Sequence, residues 1–252
     1  MAGTRTPHRR PARADGPEAP APEDAYDAGP FLPSGGEAAA GSASARLAAL
    51  REAAAGCRGC PLHRDATQTV FSSGDAGARI VLVGEQPGDQ EDRRGQPFVG
   101  PAGRVLARAL DEAGIDPTET YVTNAVKHFK FGYVEGCGKR RIHKPPSLRE
   151  MTACGPWLAA ELAAVDPEVV VALGATAGRA LLGSGFRVTR ARGVPLPLPA
   201  EAEAPVAATV RDDGRARVVA TIHPSAVLRA DDQEAAYRGL VSDLRVAAEV
   251  LG

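Results

Sequence analysis

Aromatic side chains are scarce in this chain. They make up 4% of its 252 residues, and there is a single tryptophan. A large aromatic core is therefore ruled out, and packing has to rest on Ala, Val and Leu; with 44% hydrophobic residues there is enough of them for one sizeable domain. Net charge is missing too. Lysine and arginine together number 30 against 31 acidic residues, a balance of −1. No global field draws the chain to nucleic acid, so any such binding has to come from a local patch. No apolar run reaches the roughly 20 residues that span a bilayer, and the opening residues lack the apolar stretch of a secretory signal. Cysteine is sparse: Cys57, Cys60, Cys137 and Cys154. Without an export signal a disulfide framework is not expected. Cys57-x-x-Cys60 reads instead as metal or cluster ligation. Cys154 would be a third soft ligand and either Cys137 or His128 the fourth, with zinc as the generic alternative.

What the chain does have is alternation. Residues 1–42 are rich in Pro, Ala, Gly and charge and have little to bury beyond Phe31-Leu32, so they read as a disordered tail. Residues 43–252 read as one domain. A helical pattern runs from about Ser44 to Ala55. After it, continuous apolar runs predict strands at 79–84, 121–126, 169–173 and 218–222. Helical patterns lie between and after them, near 102–113, 147–165, 175–182 and 232–251. Strands joined by helical crossovers imply an α/β fold, a three-layer α/β/α sandwich with a central four-stranded parallel sheet. The Pro195–Pro205 stretch reads as a surface excursion.

In such a fold ligands bind at the carboxyl ends of the strands. Three sets of residues follow strand ends here: Gly84-Glu85-Gln86-Pro87-Gly88-Asp89, then Asn124 with His128 beyond it, then His223-Pro224-Ser225. The first set lacks the Lys-Ser/Thr pair of a triphosphate loop; its glycines and proline force a turn that aims Glu85, Gln86 and Asp89 at the cleft. Phe98, within Gly95–Gly103, is either a stacking platform for a planar base or a core plug. His223 either donates to a developing negative charge or caps its strand. Lys139-Arg140-Arg141-Ile142-His143-Lys144 sets one imidazole among four cations, with glycines before it and Pro145-Pro146 after it. It reads as a flexible basic loop holding a candidate nucleophile, or as a phosphate-touching patch with an incidental histidine.

Together, the Gly84–Asp89 turn, Gly95–Gly103, Thr123–Lys127, Lys139–Lys144, Ala153–Leu158 and His223–Ser225 resemble the iron–sulfur uracil-DNA glycosylases, most closely their UdgX branch. The similarity covers about Arg46 to Leu251. Ordinary iron–sulfur members look like Gly-Glu-Ala-Pro-Gly in the first motif and lack the basic insert, so Gln86 and Lys139–Lys144 carry the finer likeness. The resemblance implies a [4Fe–4S] cluster on Cys57, Cys60, His128 and Cys154, with Cys137 the rival to His128. It also implies excision of uracil from DNA, single strands favoured, by a monomeric bacterial protein of the cytoplasm that is associated with the nucleoid when on DNA. Gly84, Gln86, Phe98 and Asn124 would hold the base, and His223 would stabilise the uracil anion. His143 would attack C1′ and stay attached, kept neutral by nearby Lys and Arg. Glu85 would take a proton or orient the ring. Arg141 would anchor the loop or a phosphate, and Asp89 would fix the loop or polarise a water. Lys139, Arg140, Lys144 and Ser225 would touch DNA. The rival readings are a turning-over uracil glycosylase and a non-catalytic iron–sulfur DNA-binding module.

Overall fold

The computed structural model describes residues 26–34, 41–133, 140–199 and 216–252. Four parallel strands form its centre: β2 (Ile80–Gly84), β3 (Thr120–Asn124), β6 (Val169–Leu173) and β8 (Arg217–Thr221). They lie in the order β3-β2-β6-β8, with Gly84 abreast of Asn124. The two inner strands, Ile-Val-Leu-Val-Gly and Val-Val-Val-Ala-Leu, are buried at every position, as continuous apolar runs require. Their side chains alternate between the two faces of the sheet. Val81, Val83, Val170 and Ala172 meet one apolar layer, and Ile80, Leu82, Val169 and Val171 the other.

Helices cover both faces. On the first lie α1 (Ala43–Ala54), which contributes Leu47 and Leu50, and α4 (Leu148–Val165), which contributes Trp157, Leu158 and Leu162. Trp157, the single tryptophan, is fully buried. A reciprocal Ser147–Glu150 capping box starts α4. On the second face lie α3 (Pro101–Glu112) and α8 (Gln233–Leu251), packed through Leu106, Leu110, Leu240 and Leu244. Short helices α2 (Asp89–Arg94), α5 (Ala175–Leu182), α6 (Val188–Ala191) and α7 (Pro224–Val227) complete the set. No helix among the described residues is long and apolar enough to cross a membrane.

The three-layer α/β/α expectation holds, with additions. The sheet has six strands, because β1 (Ser72–Gly74) and β7 (Pro195–Pro197) pair antiparallel with its two edges. Three-residue strands of Ser-Ser-Gly and Pro-Leu-Pro show no periodicity to read, and proline is tolerated only where one edge needs no donor. The Pro195–Pro205 stretch is therefore partly sheet. The second central strand ends at Asn124, two residues earlier than expected. The basic insert is not simply a loop: β5 (Arg141–His143) pairs with β4 (Phe131–Tyr133) in a separate two-stranded ribbon. Part of the expected tail also belongs to the domain. Ala28 is buried, its N–H donates to the Ala153 carbonyl, and Phe31 and Leu32 pack on the core. Residues 1–25 and 35–40 of that tail, together with Cys137 and Lys139, lie outside the described residues.

Candidate active site

The carboxyl ends of β2, β3 and β8 open onto a cleft of about 440 Å³, which the ribbon closes on one side. Its lining includes Glu85, Gln86, Phe98, Asn124, His143, His223 and Ser225. The strand-end rule thus brings together residues from positions as far apart as 85 and 225.

Gly84 forms the floor. A Cβ there would sit 2.3 Å from Asn124 Oδ1 and 2.7 Å from Phe98 Cζ, so only glycine lets these two groups meet over the end of β2. Phe98 takes a left-handed backbone, φ 55°. Two neighbours hold it there. Gly103, whose Cβ would strike the Phe98 carbonyl at 1.6 Å, lets α3 pass close by. Glu91 accepts the Gly100 N–H at 2.8 Å and ties down the loop. The Phe98 ring leans on the second apolar layer and stacks beside His223, with centroids 6.0 Å apart and planes 30° apart. It is therefore both a core contact and a cleft wall.

His223 caps α7. Its Nδ1 accepts from the Ser225 N–H at 3.1 Å and lies 2.7 Å from the Ser225 hydroxyl. With Nδ1 accepting, the proton sits on Nε2. Burial, with Arg229 and His143 nearby, lowers the ring's pKa to about 4, so it is a neutral donor at pH 7. Ser225 thus sets the tautomer of His223.

His143 ends β5 with its side chain 48% exposed. Its Nε2 stands 3.3 Å from Glu85 Oε1. The other Glu85 oxygen accepts from the Thr176 hydroxyl. The pKa of His143 is lowered, first by burial; Glu85 opposes the shift and Arg229 adds to it. Of the nearby Lys and Arg charges expected to keep the ring neutral, the one that does so is Arg229, from outside the insert. Arg141 cannot do so, because its charge is already met by Asp89 at 2.5 Å and Asp92 at 2.6 Å. Its guanidinium is mostly buried and lies over the Phe129 and Phe131 rings. Of the roles open to Arg141 and Asp89, the geometry matches anchoring the ribbon rather than gripping a phosphate or polarising water.

The expected base contact at Gln86 falls to the backbone groups around it, and its side chain has a separate task. Its amide donates to the Lys130 and Lys144 carbonyls at 3.1 and 3.0 Å, and its oxygen accepts from the Lys130 N–H at 3.2 Å. The side chain staples both strands of the ribbon to the β2 turn. Arg140 and Lys144 are exposed beside His143.

The soft ligands gather behind β3. Cys57, Cys60 and Cys154 are buried, unpaired thiols. Burial pushes Cys60 up to about 11 and Cys154 up to about 12; Cys57 adds to the first, and Cys60 and Cys57 to the second. Two N–H groups point at sulfur: Lys127 at Cys154, 3.3 Å, and the Trp157 indole at Cys57, 3.2 Å. His128 is buried, and burial lowers its pKa to about 4. The Thr69 hydroxyl gives its proton to the Ala54 carbonyl at 2.8 Å, so its oxygen accepts from His128 Nε2–H at 2.9 Å. That leaves the lone pair on His128 Nδ1, the usual outer-shell arrangement of a ligating histidine. Among the described residues no three His, Cys, Asp or Glu side chains converge on a single-ion position.

The model of the Uracil DNA glycosylase superfamily matches residues 71–245. The chain belongs to this superfamily. A type-4 uracil-DNA glycosylase of Thermotoga maritima is 37% identical over 69% of the chain and 78% of its own length. That of Archaeoglobus fulgidus is 31% identical over 78% and 88%. A type-5 uracil-DNA glycosylase of Pyrobaculum aerophilum is 33% identical over 43% and 50%. Three groups around the cleft, Thr176, Glu91 and Arg229, escaped the sequence reading, as did Thr69 beside the soft ligands. Thr176 had a signal, since it follows the end of β6 just as Glu85 follows β2. Thr69 reaches His128 across 59 residues of sequence.

Proposed function

We propose that this chain excises uracil from DNA, preferring a single strand, and remains joined through His143 to C1′ of the sugar it has stripped. One observation carries the reading: a half-exposed neutral imidazole on a clamped ribbon, 3.3 Å from a carboxylate, in the same cleft as a base-sized aromatic wall. The names of the type-4 relatives support the substrate.

The target nucleotide leaves the stack, which costs a few kcal/mol when it is paired and less in a single strand. Phe98 stacks on the flipped base and Asn124 bonds its edge. The exposed Leu228 and Arg229, on the turn after α7, take the gap left in the strand and its backbone. As the C1′–N1 bond breaks, its electron pair goes to uracil, and His223 Nε2–H faces the forming anion. A preorganised donor of this kind is worth about 3–4 kcal/mol. The sugar becomes an oxocarbenium ion. The lone pair of His143 closes on C1′, the surplus ring proton passes to Glu85, and uracil gains a proton from solvent. Proximity is the advantage over water.

Cys57, Cys60, His128 and Cys154 would hold a [4Fe–4S] cluster. The buried thiols, the N–H donors aimed at two of them and the Thr69-fixed imidazole suit thiolate-rich ligation. Bound there, the cluster would supply cross-linking of α1, the β3 exit and α4. A histidine in place of a thiolate would raise its potential.

The test is incubation with a deoxyuridine oligonucleotide, followed by boiling in detergent and mass spectrometry. The expected result is protein carrying the stripped strand, and His143→Gly should release an abasic product instead. Many cycles of uracil release with the polypeptide mass unchanged would reduce the protein to a turning-over glycosylase.

A further inference from the structure

We propose that Tyr133 is a stacking subsite for a nucleobase within two positions of the target uracil in a single strand, an assignment that rests on the excision reading above. Among the described residues Tyr133 is the most exposed large hydrophobic side chain, at 64%. Across the ribbon Tyr133 pairs with Arg141, and Phe131 with His143. Cross-strand partners and residues two apart share a face, so these four side chains stand on the same side as the nucleophile.

Three aromatic rings form a row leading away from His143. Phe129 and Phe131 stack with centroids 5.1 Å apart, and Phe131 meets Tyr133 edge-on at 5.5 Å. The inner members are occupied: Phe129 is buried, and Phe131 lies under the Arg141 guanidinium at 4.9 Å. Arg141 is held by Asp89 and Asp92, so the row has a rigid base. Tyr133 ends the row with its ring open to solvent.

Two residues along the ribbon span about 7 Å, the rise of two stacked nucleotides. A strand whose target sugar sits at His143 therefore brings a neighbouring base to Tyr133. Exposed Arg140 and Lys144, on the same ribbon segment, match the charge of its backbone. A duplex keeps that neighbour paired and stacked in its own helix, so the subsite selects single strands.

The test uses single-stranded oligonucleotides carrying 2′-fluorodeoxyuridine, which bind without losing the base. Each flanking base is replaced in turn by an abasic spacer, and Kd is read by fluorescence anisotropy. In the unaltered protein one spacer position should weaken binding about five-fold or more, as expected for one base–aromatic stack. Tyr133→Ala should bind the intact strand with that same loss and no longer sense that position, while Tyr133→Trp should restore both. Identical spacer profiles for the unaltered protein and Tyr133→Ala would overturn the subsite, as would an unchanged Kd in that variant. Uracil release from ordinary deoxyuridine, measured in parallel, separates the two readings. Release without coupling removes only the subsite; coupling without release removes only the excision reading.

Discussion

On the proposed reading, the protonation of two histidines sets what this cleft can do. His223 must keep a proton on Nε2, and His143 must keep a lone pair. The first is secured by the two Ser225 donors on Nδ1, the second by burial next to Arg229. Because the pKa of His143 lies below its ordinary value of 6.5, the attacking form persists into mildly acid solution. The rate of adduct formation should therefore be flat from pH 8 down to neutrality and fall only as pH drops through the lowered value. A stopped-time gel assay against pH checks this; a rate still rising above pH 7 would mean that a different group is titrating. Protonating His223 leaves a donor on Nε2, so it adds no second loss on the acid side.

On the proposed reading, the ribbon is the element that would turn a superfamily cleft toward trapping. It carries His143 but has only two strands, and such a pair is marginal alone. Its hold comes from outside: Gln86 bonds to both strands, and Arg141 reaches Asp89 and Asp92 on α2. Gln86→Ala should let His143 drift while Phe98, Asn124 and His223 stay in place. A displacement of about 1 Å costs up to about 100-fold in a positioned reaction. The expected outcome is a fall of that order in protein–DNA adduct with uracil release largely kept. Measuring both products from one reaction checks it, and a parallel fall in both would place Gln86 in base binding instead.

At the scale of the molecule, two features deserve separate tests. Lys127 and Glu161 form a buried ion pair beneath the sheet, bonded also to Thr123, Tyr121 and the Asn124 carbonyl. Lys127→Met leaves Glu161 buried without its cation and should cost about 3–5 kcal/mol. Lys127→Met with Glu161→Leu should recover part of that loss, as denaturant unfolding of the two variants would show. The second feature is charge. With a net charge of −1, DNA affinity is expected to rest on the exposed local cations Arg140, Lys144 and Arg229. Three single-strand phosphate contacts imply a slope of about −2 in log K against log salt. A slope near zero would remove these residues from the interface.

Periodicity and strand ends were enough to read the α/β layers and to bring Glu85, Asn124 and His223 to one edge, because an apolar run and the residue following it are local facts. The paired soft ligands and the basic insert were also readable, as spacing and charge. Other features existed only after folding. β1 and β7 are too short for a pattern and are created by the edges they meet. Residues 26–34 look like tail until Ala28 finds α4. Gln86 gains its role of staple only when its amide meets carbonyls 44 and 58 residues away, and Thr176 becomes relevant only when Glu85, 91 residues distant, lies against it. Hydrophobic pattern is written along the chain, whereas the partner of a polar group is chosen by whichever distant donor or acceptor the packed core brings within 3 Å, and at this site those partners set the work of each residue.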